Sequence, residues 1–287
     1  MKEARFYTVL EDGVQCQLCP HHCLIKEGGR GLCRSRECRD GKLWALSYGQ
    51  PCALAIDPVE KKPLYHFLPG TRCLSLSCTG CNLSCRWCQN SDISQARPEQ
   101  VESAEWSPEE IVEECLRRGL PSIAYTYTEP LTWWEYMCDV AALAHEKGLR
   151  NILVSAGYVE KEPLKELLPH IDAANIDIKA MDEAYYRRYC GATLAPVLES
   201  ILTMKEAGVH LEITNLLVTG LNDSDESIKA LCLWMVLNGL QEVPLHLSRF
   251  FPRYRFTQAQ PTPKATLVRA REIAMAMGIK TVHLGNV

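Results

Sequence analysis

Three closely spaced cysteines are the residues of this chain best suited to cofactor chemistry. Cys81, Cys85 and Cys88 form a C-x3-C-x2-C run. Iron–sulfur clusters of the [4Fe–4S] type are normally held by four Cys thiolates. A run that supplies three thiolates leaves one iron open to a small molecule. The spacing therefore predicts a redox-active cluster with one free coordination position.

A fourth cysteine close by keeps a second interpretation open. Cys78 lies three residues before Cys81 and extends the run to C-x2-C-x3-C-x2-C. Four thiols at these spacings suit a closed zinc or ferredoxin-like site, which would indicate an electron-transfer or interaction protein. Simple buried thiols are a third interpretation, and scattered cysteines such as Cys190 are expected to be small core residues. The spacing favours the three-thiol site.

A second group of thiols lies near the N-terminus and is a candidate metal site. Its members are Cys16, Cys19, Cys23 and Cys33. Structural zinc suits them because a small polar lobe gains folding free energy from a bound metal. A second iron–sulfur cluster that relays electrons, and thiols without metal, are the two alternatives. The spare candidate ligands are His21, His22 and Cys38.

Composition limits the class of protein. The chain has 287 residues, a net charge of −4 and 15 cysteines. This length permits a sizeable core, and the charge provides no general basic field for nucleic acid. The N-terminus lacks the apolar segment of a signal peptide, and no run of about 18 apolar residues indicates a membrane span. We therefore expect a cytoplasmic protein, in which closely spaced cysteines bind metal more often than they form disulfides.

The pattern of elements divides the chain into two parts. Residues 1–70 are predicted to form a small cysteine-rich metal-binding lobe with a strand pair at 43–48 and 52–56. Residues 71–287 alternate apolar runs with amphipathic helices, the pattern of right-handed βαβ units and a parallel sheet. The strand candidates are 73–77, 122–126, 151–155, 174–178, 210–217, 244–248 and 281–284. Six such units predict an α/β fold, a partial (β/α)6 TIM-like barrel.

Polar residues cluster where the predicted strands end. In β/α barrels the chemistry takes place at the carboxyl ends of the strands. The three-cysteine loop follows the first strand candidate directly. The later strands lead into Tyr127, Thr128, Glu129, Ser155, Asp177, Lys179, Thr214, Asn215, His246, Ser248 and Arg249. This bias predicts a functional site on that rim, although each residue alone also suits a cap or a loop hydrogen bond.

Several longer stretches resemble one enzyme family. They are residues 57–70, 80–90, 125–130, 177–181, 220–223 and 285–286. On these stretches, the chain from Thr71 to the C-terminus is similar to the radical S-adenosylmethionine (SAM) enzymes related to pyruvate formate-lyase-activating enzyme. More closely, it resembles the branch called the AmmeMemoRadiSam system radical SAM enzyme.

This resemblance implies both a fold and a chemistry. It implies a partial barrel of the radical SAM type, in which Cys81, Cys85 and Cys88 bind a [4Fe–4S] cluster and the open iron binds SAM. The reduced cluster would cleave SAM to methionine and a 5′-deoxyadenosyl radical, which abstracts hydrogen from a substrate. The protein contributes binding, orientation and the exclusion of side reactions. The substrate stays open between a small molecule and a protein glycine.

The resemblance also implies roles for residues around SAM. Tyr127, Thr128 and Glu129 take the place of a Gly-Gly-Glu-Pro motif that receives the SAM amino group. Because both glycines are replaced here, backbone carbonyls are expected to make most of that contact. Asp177 and Lys179 match a pair near SAM in which the lysine meets the SAM carboxylate as a charged donor.

Three more residues complete the expected cofactor site. His246 matches a histidine late in the barrel of the activating enzymes. Ser155 and Asn215 are cofactor-binding candidates on the same rim. The activating enzymes also carry an arginine on the fifth strand, and this chain has none near Thr214 and Asn215. Contacts from that strand are therefore expected to differ from those of the relatives.

Expected partners follow from the same resemblance. It implies an external electron donor such as flavodoxin or ferredoxin, and the branch name implies Memo-like and AMMECR-like proteins. An RNA-modifying radical enzyme is a further hypothesis, because Arg249, Arg253 and Arg255 alternate with aromatic residues. A rim loop that binds an anionic small substrate, or packs on the barrel, explains these arginines more simply. Neither nucleic acid nor a membrane is therefore an expected partner.

Overall fold

The computed structural model describes residues 1–287, and its N-terminal part contains two small antiparallel sheets. One sheet consists of β1 (Lys2–Glu3), β5 (Arg36–Arg39) and β6 (Lys42–Ala45). The other consists of β2 (Tyr7–Leu10), β3 (Gly13–Cys16) and β4 (Leu24–Lys26). These strands are short, and the turns between them carry most of the N-terminal cysteines.

An eight-stranded sheet forms the main body. Its strands, in spatial order, are β14 (Val282–Gly285), β13 (Leu245–Arg249), β12 (His210–Leu217), β11 (Ala173–Asp177), β10 (Arg150–Ser155), β9 (Ser122–Tyr125), β8 (Arg72–Cys78) and β7 (Pro51–Pro58). The strands β8 to β14 are parallel, and β7 is antiparallel to β8. Because β7 and β14 do not pair with each other, the sheet stays open, which is the arrangement of a partial barrel.

Helices connect the parallel strands. They are α1 (Ser91–Ser94), α2 (Pro108–Arg117), α3 (Trp134–Glu146), α4 (Lys161–Leu167), α5 (Glu183–Tyr185), α6 (Ala195–Glu206), α7 (Asp225–Leu237) and α8 (Lys264–Ala276). A π-helix, Tyr186–Cys190, follows α5 directly. The alternation of strands and helices confirms the expected α/β class and partial barrel. No helix has the length and apolar composition that crossing a membrane requires.

The predicted strand pair near residue 50 is wrong in its pairing. Both strands exist, but β6 pairs with β1 and β5, whereas β7 pairs with β8. Gly49, with φ +70°, lies in the turn that separates them. The eight-residue β7 covers an edge of the parallel sheet that would otherwise expose unpaired backbone groups. The main sheet therefore begins at Pro51, and the division of the chain at residue 70 stays a prediction.

The segment after β7 closes the amino end of the barrel. Val59, Leu64 and Phe67 pack against inward-facing side chains of β9, β10 and β11. The carboxylate of Glu212 in β12 accepts hydrogen bonds from the N–H groups of Tyr65 (3.1 Å) and His66 (2.8 Å). With this end filled, a cavity can open only toward the carboxyl ends of the strands.

Candidate active site

One cavity of about 350 Å³ lies at the carboxyl ends of the parallel strands. It is lined by eleven of the residues that the sequence singled out: Cys81, Cys85, Cys88, Tyr127, Thr128, Glu129, Ser155, Asp177, Lys179, Thr214 and Ser248. Its walls come from the loops after β8 and β9 and from the ends of β10, β11 and β12. The volume lies within the range of small-molecule sites.

The cysteine loop enters this cavity through a tight turn at Gly80. Gly80 has φ +109°, and a Cβ at this position would lie 2.6 Å from the carbonyl oxygen of Cys33. Only glycine fits such a close approach in this backbone conformation. The turn directs Cys81 into the cavity, where its Sγ accepts a hydrogen bond from the N–H of Leu83 at 3.3 Å. The loop is thus fixed against the N-terminal lobe.

Cys78 does not join the three cavity cysteines. It is fully buried, lies in the main hydrophobic core and is absent from the cavity lining. Its thiol has a pKa well above the usual value because of burial and the nearby thiol of Cys52. Neighbouring side chains of a strand face opposite sides. Ser77 hydrogen-bonds Thr128 at 3.0 Å on one side of β8, and Cys78 is directed into the core on the other. This arrangement leaves three thiols in the cavity.

The three cavity thiols differ in their surroundings. Burial raises the pKa of Cys81 and of Cys88, whose Sγ also lies 3.2 Å from the hydroxyl of Ser94. The pKa of Cys85 is lowered by the neighbouring thiol of Cys190 and by the ammonium of Lys179. Cys190 is buried in the hydrophobic core, as the sequence predicts, and it also neighbours the cysteine loop. Its position at the end of the π-helix gave no sequence signal for this contact.

Glu129 joins the ends of β9 and β10. Its carboxylate accepts hydrogen bonds from the hydroxyl of Ser155 at 2.6 Å and from the N–H groups of Ala156 (2.8 Å) and Leu131 (3.2 Å). Burial raises its pKa. Glu129 and Ser155 thus form a fixed part of the cavity wall, and both oxygens of the carboxylate already have donors.

Tyr127 occupies one of the two expected glycine positions in a backbone conformation that glycine favours. Its φ is +68°, in the left-handed region that few non-glycine residues adopt. Asn90 donates a hydrogen bond to its carbonyl at 2.7 Å, and its own hydroxyl donates to Asp57. These two bonds hold the strained residue in place.

Asp57 lies at the centre of a charged network under the cavity. It also accepts hydrogen bonds from Lys61 (2.8 Å), Lys62 (2.7 Å) and Ser75 (2.8 Å). Partial burial alone would raise its pKa, but these donors hold it well below the usual range. Lys61 also lines the cavity. No spacing pattern in the sequence singles out these residues, although the matched stretch 57–70 contains three of them.

Asp177 and Lys179 form an ion pair of 2.7 Å at the cavity wall. Burial alone would lower the pKa of Lys179, but the carboxylate of Asp177 and the thiol of Cys85 raise it above the usual value. Its backbone carbonyl accepts a hydrogen bond from the amide of Asn222 at 2.7 Å. The site therefore has a permanent cation beside the cysteine loop.

Asn215 and His246 do not line the cavity. Asn215 is buried, and its amide donates to the carbonyl of Ile178 at 2.6 Å, which supports the end of β11. His246 is also buried, and its Nε2 lies 2.6 Å from the carboxylate of Glu212. Its ring stacks on His283 at 5.0 Å. In both cases the strand register directs the side chain toward another element.

The four N-terminal thiols also lie around one small cavity. Cys16, Cys19, Cys23 and Cys33 line it together with His21 and Arg36. Burial raises the pKa of Cys19 to about 12.

The N-terminal cavity is backed by a buried ion pair. Arg36 bonds both carboxylate oxygens of Glu135, at 2.7 and 2.6 Å. Cys38 lies apart, with its thiol 3.5 Å from the carboxylate of Glu27. The structure thus brings four thiols together and separates the fifth.

The cavity at the strand ends fits a cluster better than a single metal ion. No three Cys, His, Asp or Glu side chains anywhere in the chain converge as ligands of one ion. A [4Fe–4S] cluster is wider than an ion, so its thiolates need not converge on a point. Cys81, Cys85 and Cys88 share one cavity, and the remaining space is bordered by Lys179 and by the backbone of Tyr127.

Comparison with known proteins assigns the family. The sequence profile of the radical SAM superfamily matches residues 76–235, which include the cysteine loop and most of the cavity wall. The chain belongs to the radical SAM superfamily. Membership implies a [4Fe–4S] cluster and SAM, and it makes the protein an enzyme by homology.

The relatives of this radical SAM protein include one close match without an assigned activity. An uncharacterized protein of Methanocaldococcus jannaschii is 47% identical over 288 residues, 100% of this chain and 86% of that protein. A pyruvate formate-lyase-activating enzyme of Clostridium pasteurianum is 27% identical over 158 residues, 53% of this chain and 64% of that enzyme. The second match covers less than two thirds of the relative and does not assign its reaction to this chain.

Solved structures show the same fold at low sequence identity. A radical SAM methyltransferase from Sphaerobacter thermophilus has a TM-score of 0.55 and 18% identity, covering 77% of this chain and 68% of its own. A Streptococcus suis protein bound to S-adenosylmethionine has a TM-score of 0.57 and 13% identity, covering 74% and 51%. These likenesses concern the fold alone.

Proposed function

We propose that this radical SAM protein cleaves SAM reductively and abstracts hydrogen from a substrate that is a small molecule or a protein glycine. When bound and reduced, a [4Fe–4S] cluster supplies the electron for cleavage to methionine and a 5′-deoxyadenosyl radical. The observation that carries the proposal is the shared cavity of Cys81, Cys85, Cys88 and Lys179, with Cys78 directed into the core.

The residues of the cavity are proposed to bind and orient SAM. Lys179 is a charged donor for the SAM carboxylate, and its pairing with Asp177 keeps it protonated. The carbonyls of Tyr127 and Thr128 receive the amino group. Glu129 and Ser155 fix the wall against which both contacts are made. The filled amino end of the barrel excludes water from below, which protects a radical from side reactions.

The finer assignments are part of the same proposal. Names among the relatives, such as pyruvate formate-lyase-activating enzyme, support a protein glycine as one substrate class. Membership of the AmmeMemoRadiSam branch, with Memo-like and AMMECR-like partners, rests on the matched stretches 57–70 and 80–90. The external electron donor is a flavodoxin or ferredoxin. The N-terminal thiols would hold a second cluster, or zinc after they draw closer together around the ion, and the cytoplasm is the proposed location.

Turnover of SAM tests the proposal directly. After anaerobic reconstitution and reduction, we expect the wild-type protein to form 5′-deoxyadenosine and methionine, measured by liquid chromatography. Cys85→Ala should lose this turnover, because it removes one of the three thiolates that hold the cluster. Cys78→Ala should retain it. Zinc and iron contents measured on the same samples identify the N-terminal metal.

The matched variants also test the closed-site alternative. Loss of the cluster in both Cys78→Ala and Cys85→Ala would show a closed site of four thiolates that includes Cys78. A wild-type protein that carries a cluster and neither binds nor cleaves SAM would overturn the proposed function.

A further inference from the structure

A second, strongly basic pocket lies on the outer side of the cysteine loop. It has a volume of about 320 Å³ and no hydrophobic lining residue. Its lining is Ser84, Arg86, Arg187, Arg188, Gly191 and Arg255. We call these residues the arginine pocket. Four arginines in one pocket are notable in a chain whose net charge is −4.

Backbone hydrogen bonds bring these arginines together from three segments. The N–H groups of Ser84 and Arg86 donate to carbonyls of the π-helix, those of Cys190 (2.7 Å) and Tyr189 (3.1 Å). The N–H of Arg255 donates to the carbonyl of Arg86 at 2.9 Å. The cysteine loop, the π-helix and the loop after β13 are therefore fixed to one another, and the pocket belongs to the folded structure.

Most of these cations have no anionic partner in the protein. Only Arg187 forms an ion pair, with Glu183 at 2.8 Å. Arg86 and Arg188 lie over the ring of Tyr189, at 5.7 and 5.3 Å from its centroid. Three arginines are thus held side by side without a carboxylate. Like charges in such proximity repel one another, and an anionic partner would relieve that repulsion.

The cysteine loop is the wall between this pocket and the cavity. Along the loop, Leu83, Cys85 and Trp87 line the cavity, whereas Ser84 and Arg86 line the arginine pocket. One layer of backbone therefore separates the proposed cluster site from a basic surface open to solvent. An electron can cross such a layer, but a substrate atom cannot reach a radical formed on the other side.

We propose that the arginine pocket is the docking site of a small acidic electron-carrier protein that reduces the cluster. The inference rests on the proposed function and adds the place and chemistry of the electron donor. In the step, one electron passes from the reduced cofactor of the carrier to the oxidised cluster. The carrier is oxidised by one electron, the cluster is reduced by one, and no covalent bond forms or breaks. Attraction between an acidic carrier and the basic arginine pocket increases the rate at which the two proteins associate and fixes their relative orientation.

Binding of flavodoxin to charge variants tests the docking site without any need for turnover. The test variant is Arg188→Gln/Arg255→Gln, which leaves the cysteine loop intact. The matched control is Lys229→Gln/Lys264→Gln, which removes two exposed lysines without ion pairs elsewhere on the surface. We expect the dissociation constant for oxidised flavodoxin to rise about tenfold in the test variant and to stay at the wild-type value in the control. Added salt should weaken binding to the wild type more than to the test variant.

Turnover with two reductants separates docking from catalysis. We expect the test variant to have a raised KM for flavodoxin hydroquinone as the electron donor. Reduction by the methyl viologen cation radical, which does not need a basic surface, should give wild-type rates of 5′-deoxyadenosine formation. Equal flavodoxin binding by wild type and test variant would overturn the docking site. Failure of the wild type to cleave SAM with methyl viologen would instead overturn the proposed function.

Other anions provide the remaining outcomes. If the wild type binds a single-stranded RNA and the test variant does not, while flavodoxin binds both equally, the pocket is a nucleic-acid contact and the proposal is wrong. Inorganic phosphate at millimolar concentration is compared with chloride at the same ionic strength. Equal displacement of RNA or flavodoxin by the two anions shows general screening of charge. Specific displacement of flavodoxin from the wild type supports a shared anion site in the arginine pocket.

Discussion

Cys190 illustrates how a residue outside the cysteine motif can influence the cluster site. Its thiol is the neighbour that most lowers the pKa of Cys85, and its carbonyl accepts a hydrogen bond from the N–H of Ser84 at 2.7 Å. Hydrogen bonds to cluster sulfurs stabilise the reduced, more negative state and so raise the reduction potential. We therefore expect that Cys190, which contributes no ligand, donates such a bond and adjusts how easily the site accepts an electron.

Substitution of Cys190 should change the reduction potential. In Cys190→Ala we expect the midpoint potential of the reconstituted cluster to fall by up to about 60 mV, the equivalent of one hydrogen bond for a one-electron couple. Cys190→Ser keeps a donor and should stay closer to the wild type. Redox titration followed by electron paramagnetic resonance measures the three values. The same potential in wild type and Cys190→Ala would contradict this role.

For individual residues, the sequence predicted which residue types belong to the site better than it predicted the directions of their side chains. The spacing of the cysteines predicted which thiols are candidates, and eight of the eleven residues in the rim pattern line the cavity. Whether Cys78, Asn215 and His246 face the cavity depends on strand register, because neighbouring residues in a strand face opposite sides. No spacing rule in one sequence determines that register.

The turn at Gly80 shows how one element positions the whole cysteine loop. It connects the end of β8 to Cys81 and passes within contact distance of the backbone at Cys33. Its positive φ and the close approach are two separate reasons for glycine. The loop that would hold the cluster therefore depends on the N-terminal lobe for its position.

A pair of glycine substitutions separates these two reasons. Gly148 has φ +77° and no atom within 4 Å of an added Cβ, whereas the Cβ of Gly80→Ala would lie 2.6 Å from a carbonyl oxygen. We expect Gly148→Ala to cost about 1 kcal/mol of unfolding free energy and Gly80→Ala to cost at least about 2 kcal/mol. Gly80→Ala should also lower the iron content after reconstitution. Equal losses of stability in urea unfolding would show that the close approach carries no cost.

Helix starts have local signals in this sequence, whereas long-range strand pairing has none. Ser107 and Glu110 form the reciprocal hydrogen bonds of a capping box at the start of α2, at 3.2 and 2.6 Å. Such signals act over three residues and can be recognised in a single sequence. β7 pairs with β8, although residues 59–67, which close the amino end of the barrel, lie between the two strands in the sequence. The apolar pattern of β7 does not contain that information, so the predicted partner was wrong.

For the molecule as a whole, Glu212 joins the barrel wall to the segment that fills its amino end. Its buried carboxylate contacts His246 (2.6 Å), His210 (3.1 Å) and the N–H groups of Tyr65 and His66. Four donors around one carboxylate connect β12, β13 and the closing segment. The cavity at the opposite end depends on this closure, because an open amino end would admit water to the barrel.

The charge of Glu212 makes the stability of the whole molecule depend on pH. Burial alone would raise its pKa, but the surrounding donors hold the pKa well below the ordinary value of 4.5. A depressed pKa in the folded state contributes stability that is complete above pH 4.5 and is lost as the pH falls below it. Glu212→Gln should therefore lower the unfolding free energy at pH 7 by about 2–4 kcal/mol. It should also make stability change less between pH 5 and pH 3 than in the wild type.

Urea unfolding at several pH values distinguishes this effect from general acid sensitivity. Glu199→Gln, which changes an exposed carboxylate on α6, is the matched control and should unfold like the wild type at every pH. If Glu212→Gln destabilises the protein at pH 7 yet keeps the wild-type pH dependence, packing rather than charge accounts for the loss. If the stability of all three proteins changes in parallel with pH, the acid-sensitive group lies elsewhere. Asp57 is then the next carboxylate to substitute, because similar donors lower its pKa.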